Sequence, residues 1–299
     1  MTASVPLRER VFAEHDPVRV SICSITFNHA AYMRDCLEGF LDQVCDFRVE
    51  IVIHDDASTD GTTGILRDYA QRYPTVIRPI YQTDNQFSKG VNPYYAYVFP
   101  SARGEYLAIC DGDDHWHDPA KLAAQVAVLD HDSSVALTFG LAESPTDGTI
   151  HQFPVRRHFR DLSPFELKCG PSLLTLTTCF RNVFRDGPPI FLRSSPVGDM
   201  TVWAVLGYYG SGRYMADLPP AIYNRHSGGI FSDVSAMRRK MMVAIGLLTI
   251  AAYHAERGDS AASRACVRRS LGLLVQAEDF WMLSKRMWKN FFQGLRGKA

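Results

Sequence analysis

Short apolar segments rich in β-branched residues alternate with stretches of helical periodicity in the first third of the chain. The segments VRVSICSIT (18–26) and FRVEIVIHD (47–55) have the length and composition of buried strands. Between them, HAAYMRDCLEGFLDQV (29–44) has apolar residues at helical spacing, namely Tyr32, Cys36, Leu37, Phe40 and Leu41. This order predicts a β-α-β unit whose two strands pair in parallel.

The same alternation continues down the chain. We predict a helix over 61–74, a strand over 75–82, a short helix over 92–102 and a strand over 105–110. Four strand-helix alternations indicate an α/β fold with a mainly parallel sheet flanked by helices. The segment 172–182 is predicted to form a further strand. The last part of the chain, 233–299, is predicted to form three helices as a C-terminal appendage.

Composition and charge narrow the class of protein. Of the 299 residues 46% are hydrophobic, which is enough for a large buried core, and 32 basic residues balance 32 acidic ones. A nucleic-acid binder usually has a basic excess, so we expect none here. Because no segment resembles a secretory signal or a run of about 18 apolar residues, we expect a cytoplasmic protein. Seven cysteines without a CxxC pair predict reduced thiols, and no disulfide framework or zinc site.

Polar clusters follow three of the predicted strands: TFNH (26–29), HDDASTDGT (54–62) and CDGDDHW (110–116). Ligands of open α/β sheets bind at the carboxyl ends of the strands, where these clusters are expected to converge. The structural alternative for the second cluster is a turn and a helix cap made by Ser58 or Asp60.

Three carboxylates occupy four consecutive positions in the third cluster. Asp111, Asp113 and Asp114 would repel one another, so the cluster is expected to need a cation or another positively charged partner. The alternative is an acidic surface turn. The placement of all three clusters at one sheet edge favours a ligand site.

These motifs resemble those of the family 2 glycosyltransferases, which have the GT-A fold. The resemblance rests on VSICSITFNHAAYMRDCLEGFLDQ (20–43), EIVIHDDASTDGT (50–62) and GEYLAICDGDDHWHDPAKLAAQVAVL (104–129), in the family's order and spacing. A fourth segment, VGDMTVWAVLGYYGSGRYMADLPPAIYNRHSGGIFS (197–232), is similar to the acceptor-side half of the bacterial polysaccharide members. The last sixty or so residues have no counterpart in the resemblance.

The resemblance implies a domain plan. An N-terminal tail, 1–17, would precede a nucleotide-sugar-binding half at 18–130 and an acceptor half at 131–232. The helical region 233–299 would follow.

For the metal, the resemblance implies a site at the DxD motif. Asp113 would bind Mn2+ or Mg2+ directly, Asp111 would face the ribose or a metal-bound water, and Asp114 would support them. His226 would be a third metal ligand or a phosphate contact.

For the nucleotide, the resemblance implies contacts at the ends of the first two strands. Asp55 or Asp56 would accept hydrogen bonds from the base or ribose, and Asp56 is favoured. Thr26 and Asn28 would lie beside the base. Arg225, in YNRHSGG, would be a charge partner of the diphosphate, although Asn224 departs from the family's commoner YRxHxGG pattern and leaves the register of Arg225 open.

The resemblance also implies an inverting reaction, which needs a base for the acceptor hydroxyl. Asp199, in PVGDMTVW, is the candidate. The alternative is an aspartate that only complements the dipole of an amphipathic helix beginning there.

The expected activity is therefore transfer of a sugar, from a UDP-sugar or another nucleotide-diphosphate sugar, to a saccharide or lipid-linked saccharide. A sugar nucleotidyltransferase or an inactive nucleotide-sugar-binding module is the alternative. The segment after the first strand lacks the glycine-rich basic loop of nucleotidyltransferases, and the retained carboxylates argue against an inactive module.

The last predicted helix, 279–299, has two readings. It combines aromatic residues with positive charge, so it could dock on the core or lie on the cytoplasmic face of the membrane as an amphipathic helix.

Overall fold

The computed structural model describes residues 5–13, 15–145, 150–151, 159–187, 189, 195–226 and 234–275. The chain divides into two compact units. The first comprises Met1–Ser194 and Gly198–Arg225, and the second comprises Ser195–Val197 and His226–Ala299. The sequence-based boundaries at 17/18, 130/131 and 232/233 remain predictions.

The first unit contains two sheets. The strands of the larger sheet are β1 (Val18–Thr26), β2 (Arg48–Asp55), β3 (Ile77–Tyr81), β4 (Tyr106–Ile109), β5 (Val135–Phe139), β8 (Cys179–Arg181) and β9 (Ser211–Tyr214). The smaller sheet consists of β6 (Ala142–Glu143), β7 (Ile150–His151) and β10 (Ala221–Ile222).

The helices of the first unit are α1 (Met33–Leu41), α2 (Thr62–Arg72), α3 (Phe99–Ser101), α4 (Lys121–His131), α5 (Pro164–Lys168) and α6 (Gly198–Leu206). A π-helical turn, Tyr94–Val98, leads directly into α3. The second unit contains α7 (Ala236–Glu256) and α8 (Ser260–Val275), which pack together as a helical hairpin.

The larger sheet has the strand order β3-β2-β1-β4-β8-β5-β9. Strands β3, β2, β1 and β4 are mutually parallel, whereas β8 runs antiparallel to both β4 and β5, and β9 is parallel to β5. Strands β1 and β2 are buried along nearly their whole length, as expected for parallel strands covered on both faces. The predicted α/β fold with a mainly parallel sheet and C-terminal helices is confirmed.

Two local predictions differ from the structure. The segment predicted as one strand, 172–182, forms a 3-10 turn at Thr175–Thr177 and only the short strand β8. Helix α6 was expected to be amphipathic, but every residue from Met200 to Leu206 is buried. Its sequence from Met200 to Leu206 is apolar except for Thr201 and therefore has no polar face.

The seven cysteines are all free thiols, and all except Cys169 are buried. Their reduced state remains a prediction. Burial raises the pKa of Cys45 and Cys179 to about 12, so both thiols stay protonated at neutral pH.

One buried carboxylate organises the amino-terminal end of the parallel sheet. Glu50, on β2, accepts hydrogen bonds from the Ser21 hydroxyl at 2.6 Å and the Arg103 backbone N–H at 2.7 Å, and it forms ion pairs with Arg103 and Arg78. Burial alone would raise the pKa of Glu50, but these hydrogen bonds outweigh it and hold the pKa below the usual value. Gly104 leaves no room for a side chain here, because a Cβ atom would overlap the backbone of Ser21.

We predict that Glu50→Ala lowers the free energy of unfolding by about 2–4 kcal/mol, because the Ser21 hydroxyl and the Arg103 N–H lose a buried acceptor at about 1–3 kcal/mol each. Urea denaturation measures this. Glu105→Ala, which breaks the exposed ion pair with Arg19, is the control and should cost under about 1 kcal/mol.

The loss should also depend on pH. The pKa of Glu50 is lowered on folding, so its contribution is complete at neutral pH and disappears as the pH falls through the folded-state pKa. The difference between parent and variant should therefore shrink on acidification. A difference that is independent of pH, or equal to that of the Glu105 variant, would contradict this role.

Candidate active site

The loops that follow β1 and β2 are joined by side chain to backbone hydrogen bonds. Asn28 adopts a left-handed backbone conformation with φ of 57°, and its N–H donates to Ser58 Oγ at 2.9 Å. In return, Asn28 Oδ1 accepts from the Thr59 N–H at 2.8 Å. The N–H groups of His29 and Ala30 donate to side-chain oxygens of the second loop as well. The two loops therefore form one rigid platform at the carboxyl edge of the sheet.

The residues STDGT (58–62) therefore link the loops after β1 and β2, and no side chain among them caps α2. Helix α2 begins after Gly61, which has a φ of 106° and no side-chain cap, so neither Ser58 nor Asp60 is its N-cap residue. Asp60 instead accepts from the N–H groups of Thr62 and Ala30, which links the helix start to the first loop. These bonds, with the Thr62 hydroxyl, outweigh the effect of burial and lower the pKa of Asp60.

Asp55 and Asp56 close β2 and are both buried. Asp55 accepts hydrogen bonds from the Ser58 N–H at 3.1 Å and from the Thr63 hydroxyl, so it shapes its own loop. Asp56 reaches across to the loop after β3, where the backbone N–H groups of Gln86 and Phe87 donate to its two oxygens at 2.8 and 3.0 Å. Both carboxylates support the loops around the edge, and their contact with a nucleotide remains a prediction.

The acidic loop after β4 packs closely on the end of β1. Gly112 donates its N–H to the Ile25 carbonyl at 2.9 Å, and a Cβ atom at Gly112 would lie 2.7 Å from both Cβ and Oγ1 of Thr26. Only glycine allows this approach. Thr26 is itself buried and lies in one row with Asp55 and Tyr81 across β1, β2 and β3.

The three carboxylates of the loop lie in unlike environments. Asp114 is buried, while Asp111 and Asp113 are partly exposed. Burial, and then the charge of Asp113, raises the pKa of Asp111 to about 7, although the Tyr94 hydroxyl donates to it. Burial also raises the pKa of Asp114 well above its usual range, with Asp113 adding to the effect. Burial is therefore the main cause of both shifts, and repulsion between the carboxylates adds to it.

The cluster fits a divalent cation chemically. Its carboxylate oxygens are the hard ligands that Mg2+ and Mn2+ prefer, and an imidazole is an acceptable additional ligand. His29 provides such a group, since its Nε2 lies 3.8 Å from Oδ2 of Asp113. A bound cation would also offset the charge of Asp113, which adds to the effect of burial on the pKa of Asp111.

Asn224 donates two hydrogen bonds to the acidic loop. Its backbone N–H donates to Asp114 Oδ1 at 2.9 Å, and its side-chain Nδ2 donates to the Asp113 carbonyl at 2.7 Å. Two further backbone bonds, between His115 and Ile222, pair the same segments. The residue that departs from the family pattern therefore holds the acidic loop in place.

Arg225 follows Asn224 and is exposed at the end of the first unit. His226 belongs to the second unit, and its role as a metal ligand or phosphate contact remains a prediction. The glycines after it, Gly228 and Gly229, lie outside the described residues.

Asp199 occupies the first turn of α6, as the sequence suggested. The entry to this helix is held by Tyr95, whose hydroxyl donates to the Gly198 carbonyl at 2.7 Å and contacts the Thr201 hydroxyl. Burial raises the pKa of Asp199 to about 6. The charge of Asp199 in turn contributes to the raised pKa of Asp111, so the two carboxylates influence each other electrostatically.

Sequence reasoning missed three residues of this site. His29 was visible in the TFNH cluster but was given no role, whereas Tyr94 and Asn224 carry no motif that assigns them to a carboxylate. His54, which precedes Asp55 in the second cluster, is fully buried, and its ring stacks on that of Tyr97 with 5.0 Å between the ring centroids, which is a structural role.

Comparison with known proteins identifies related sequences. The model of the family described as Glycosyl transferase family 2 matches residues 21–188, more than half of the chain. An uncharacterised protein of Mycobacterium tuberculosis is 36% identical over 231 residues, which cover 74% of this chain and 63% of the relative. The putative teichuronic acid biosynthesis glycosyltransferase TuaG of Bacillus subtilis is 32% identical over 131 residues, which cover 44% of this chain and 49% of TuaG. The chain thus spans less than two thirds of the length of these relatives.

Solved structures share the fold at low sequence identity. S. aureus TarS 1–349, in complex with UDP-GlcNAc, has a TM-score of 0.57 and 16% identity, over 77% of this chain and 67% of TarS 1–349. The mannosyltransferase PcManGT from Pyrobaculum calidifontis, in complex with GDP-Man and Mn2+, has a TM-score of 0.53 and 18% identity, over 99% of this chain and 85% of PcManGT.

The backbone at the end of the acidic loop packs closely against α1, and this contact leads to a prediction about stability. A Cβ atom at Gly39 would overlap the carbonyl oxygen of Trp116, the residue that ends the DGDDHW motif. Gly39→Ala should therefore force α1 and the loop apart and lower the free energy of unfolding by about 1–3 kcal/mol, the usual cost of overpacking. Urea denaturation measures the change.

Gly64→Ala is the matched control. Gly64 is also in a helix, α2, but a Cβ atom there has nothing within 4 Å. That variant should be more stable than the parent by about 0.5–1 kcal/mol, because alanine is the better helix former. Equal effects at the two positions would show that Gly39 does not determine the packing of the loop.

Proposed function

The chain belongs to glycosyl transferase family 2, and we propose that it transfers a sugar from a nucleotide-diphosphate sugar to a saccharide acceptor, with inversion at the anomeric carbon. The observation that supports this most is the pairing of a cluster of mutually repelling carboxylates, Asp111 to Asp114, with a separate carboxylate, Asp199, whose charge acts on Asp111. The first suits a metal-bound diphosphate, and the second suits a base.

On the donor side, Asp113 would hold Mn2+ or Mg2+, with Asp111 beside it and Asp114 supporting the loop. His29 is close enough to Asp113 to assist. We include His226 because it follows Asn224, which is bonded to the acidic loop, by only two residues. When bound, the cation would supply Lewis-acid stabilisation of the negative charge that develops on the leaving diphosphate.

For the nucleotide, we propose Thr26, Asn28, Asp55 and Asp56 as neighbours of the base and ribose, and Arg225 as a charge partner of the diphosphate. Aromatic side chains at the same edge are exposed and offer flat surfaces for a base: Phe27, Tyr81 and Phe87. TarS and PcManGT were solved with UDP-GlcNAc and GDP-Man, respectively. We favour a UDP-sugar for this chain.

Asp199 is the proposed general base. With a pKa raised to about 6, its carboxylate is ionised at neutral pH and is a better proton acceptor than an ordinary aspartate. It would take the proton of the acceptor hydroxyl as that oxygen forms a bond to the anomeric carbon. The bond between the anomeric carbon and the diphosphate oxygen breaks in the same step, and the nucleoside diphosphate leaves with the electron pair.

The acceptor is proposed to be a saccharide of a polysaccharide or glycan under assembly, carried on a lipid in the simplest case. Such acceptors lie at the cytoplasmic face of the membrane, and we propose that the protein works there. Among the described residues, no helix is both long and apolar enough to cross a bilayer. The segment 279–299, proposed for peripheral membrane contact, lies outside the described residues.

One prediction of the proposed function concerns the donor side. Asp113→Asn should abolish donor turnover while leaving the protein folded, because an amide replaces the charged oxygen ligand. Release of nucleoside diphosphate from UDP-, GDP- and dTDP-sugars, with and without acceptor, measures turnover, and chelator should stop it until Mn2+ or Mg2+ is restored. Full turnover in chelator would contradict the metal assignment. Nucleotide binding without any turnover across the panel would instead favour the inactive binding module.

Another prediction of the proposed function concerns the general base, Asp199. Asp199→Asn should reduce transfer by about a hundredfold or more while leaving nucleotide affinity close to that of the parent. The exposed Asp217→Asn is the matched control and should retain full activity. Since the carboxylate is the active form, transfer by the parent should fall as the pH drops below about 6. Weaker nucleotide binding in the Asp199 variant, measured by calorimetric titration, would exclude the assignment.

A further inference from the structure

Helix α7 carries an apolar stripe on its exposed face. Met241, Ile245 and Leu248 follow one another at steps of four and three, and Ile245 exposes 49% of its surface. The other face of the helix is apolar as well and is buried: Ala244, Leu247, Ile250 and Ala251. A helix that is apolar on both faces normally has both covered. The exposed stripe therefore calls for an apolar partner.

A second stripe lies on α8. Val267, Leu271 and Val275 recur at steps of four, and Leu271 exposes 54% of its surface. The Ser270 hydroxyl donates to the Ala244 carbonyl on α7 at 3.0 Å, which sets the register of the hairpin. This register brings 267–271 level with 243–247, so the stripes run alongside each other. Together they are called the hairpin stripes below.

Positive charge accompanies the hairpin stripes. Arg264 and Arg268 each lie three positions before a stripe residue of α8, and both are exposed. The region 233–299 contains 12 basic and 5 acidic residues, a net charge of +7, which leaves −7 for the first 232 residues of this neutral chain. Apolar side chains interleaved with arginine, on a strongly basic region, are the features of a surface that binds anionic bilayers.

We propose that the hairpin stripes are a docking surface for an anionic lipid bilayer. Met241, Ile245, Leu248, Val267, Leu271 and Val275 would enter the boundary between headgroups and acyl chains, while arginines contact phosphate groups. Repulsion between positive charges argues against two other occupants of the hairpin stripes. Segment 276–299 of this chain is itself basic, with five basic and two acidic residues, and the same surface of a second copy carries the same positive charge.

This proposal concerns binding alone, although it gives the proposed function its location. Vesicle binding without sugar transfer would leave the docking surface standing and remove only the proposed reaction. Sugar transfer to a soluble acceptor without vesicle binding would do the opposite. The two proposals therefore fail separately.

The test is flotation of the full chain with vesicles of phosphatidylcholine alone or with about one quarter phosphatidylglycerol. We expect flotation only with the anionic vesicles and a decrease at high salt. The double variants Ile245→Ser/Leu271→Ser and Arg264→Gln/Arg268→Gln should each reduce the bound fraction at least tenfold. The control Val11→Ser/Tyr209→Ser, at exposed apolar positions of the first unit, should float like the parent.

Circular dichroism and sedimentation of the same variants complete the test. All four substituted hairpin positions are exposed, so thermal unfolding should be unchanged. Failure of the parent to float with anionic vesicles would overturn the proposal. Flotation that survives both double variants would overturn it in favour of another surface. A dimer of the parent that the serine variant dissociates, without flotation, would assign the stripes to a second copy.

Discussion

Electrostatic repulsion within the acidic loop is the constraint on which the site depends. Asp111, Asp113 and Asp114 are held in four consecutive positions at the end of a buried strand, where water can screen them only in part. Hydrogen bonds to and from the acidic loop hold the three carboxylates together. Gly112 is bonded to β1, and Asn224 is bonded to both Asp113 and Asp114. These hydrogen bonds hold the loop in place, and the cation proposed to bind there would lower the repulsion.

The loops after β1, β2 and β3 are also held in place by hydrogen bonds between polar side chains and backbone N–H groups. Polar side chains that could contact a ligand are first used to hold backbone N–H groups, as Asp56 holds the loop at Gln86 and Phe87, and as Asn28 and Thr59 join the first two loops. A carboxylate has about four lone-pair sites, so two backbone hydrogen bonds leave capacity for a ligand. The structural hydrogen bonds of Asp56 are therefore compatible with the nucleotide contact proposed for it.

The two units differ in the kind of surface they offer. The first gathers carboxylates at the sheet edge, which suits a charged, metal-bound diphosphate. The second combines apolar stripes on α7 and α8 with a basic composition. An enzyme that extends a lipid-carried saccharide would need both kinds of surface, one for the donor and one for the membrane that holds the acceptor.

The sequence alone determined the alternation of strands and helices, the parallel half of the sheet and the position of the acidic loop. These follow from local properties: the apolar runs of β1 and β2, the helical periodicity of α1 and the polar residues at the strand ends. It could not determine that α6 is buried from Met200 to Leu206, that only 179–181 of the predicted strand 172–182 forms a strand, or that His29 and Tyr94 lie against the carboxylates. It also could not give Asn224 its role, since Asn224 and Asp113 are 111 positions apart and meet only through the pairing of His115 with Ile222. Periodicity records which face of an element is buried, whereas partners distant in the chain are selected by packing, which only the tertiary structure decides.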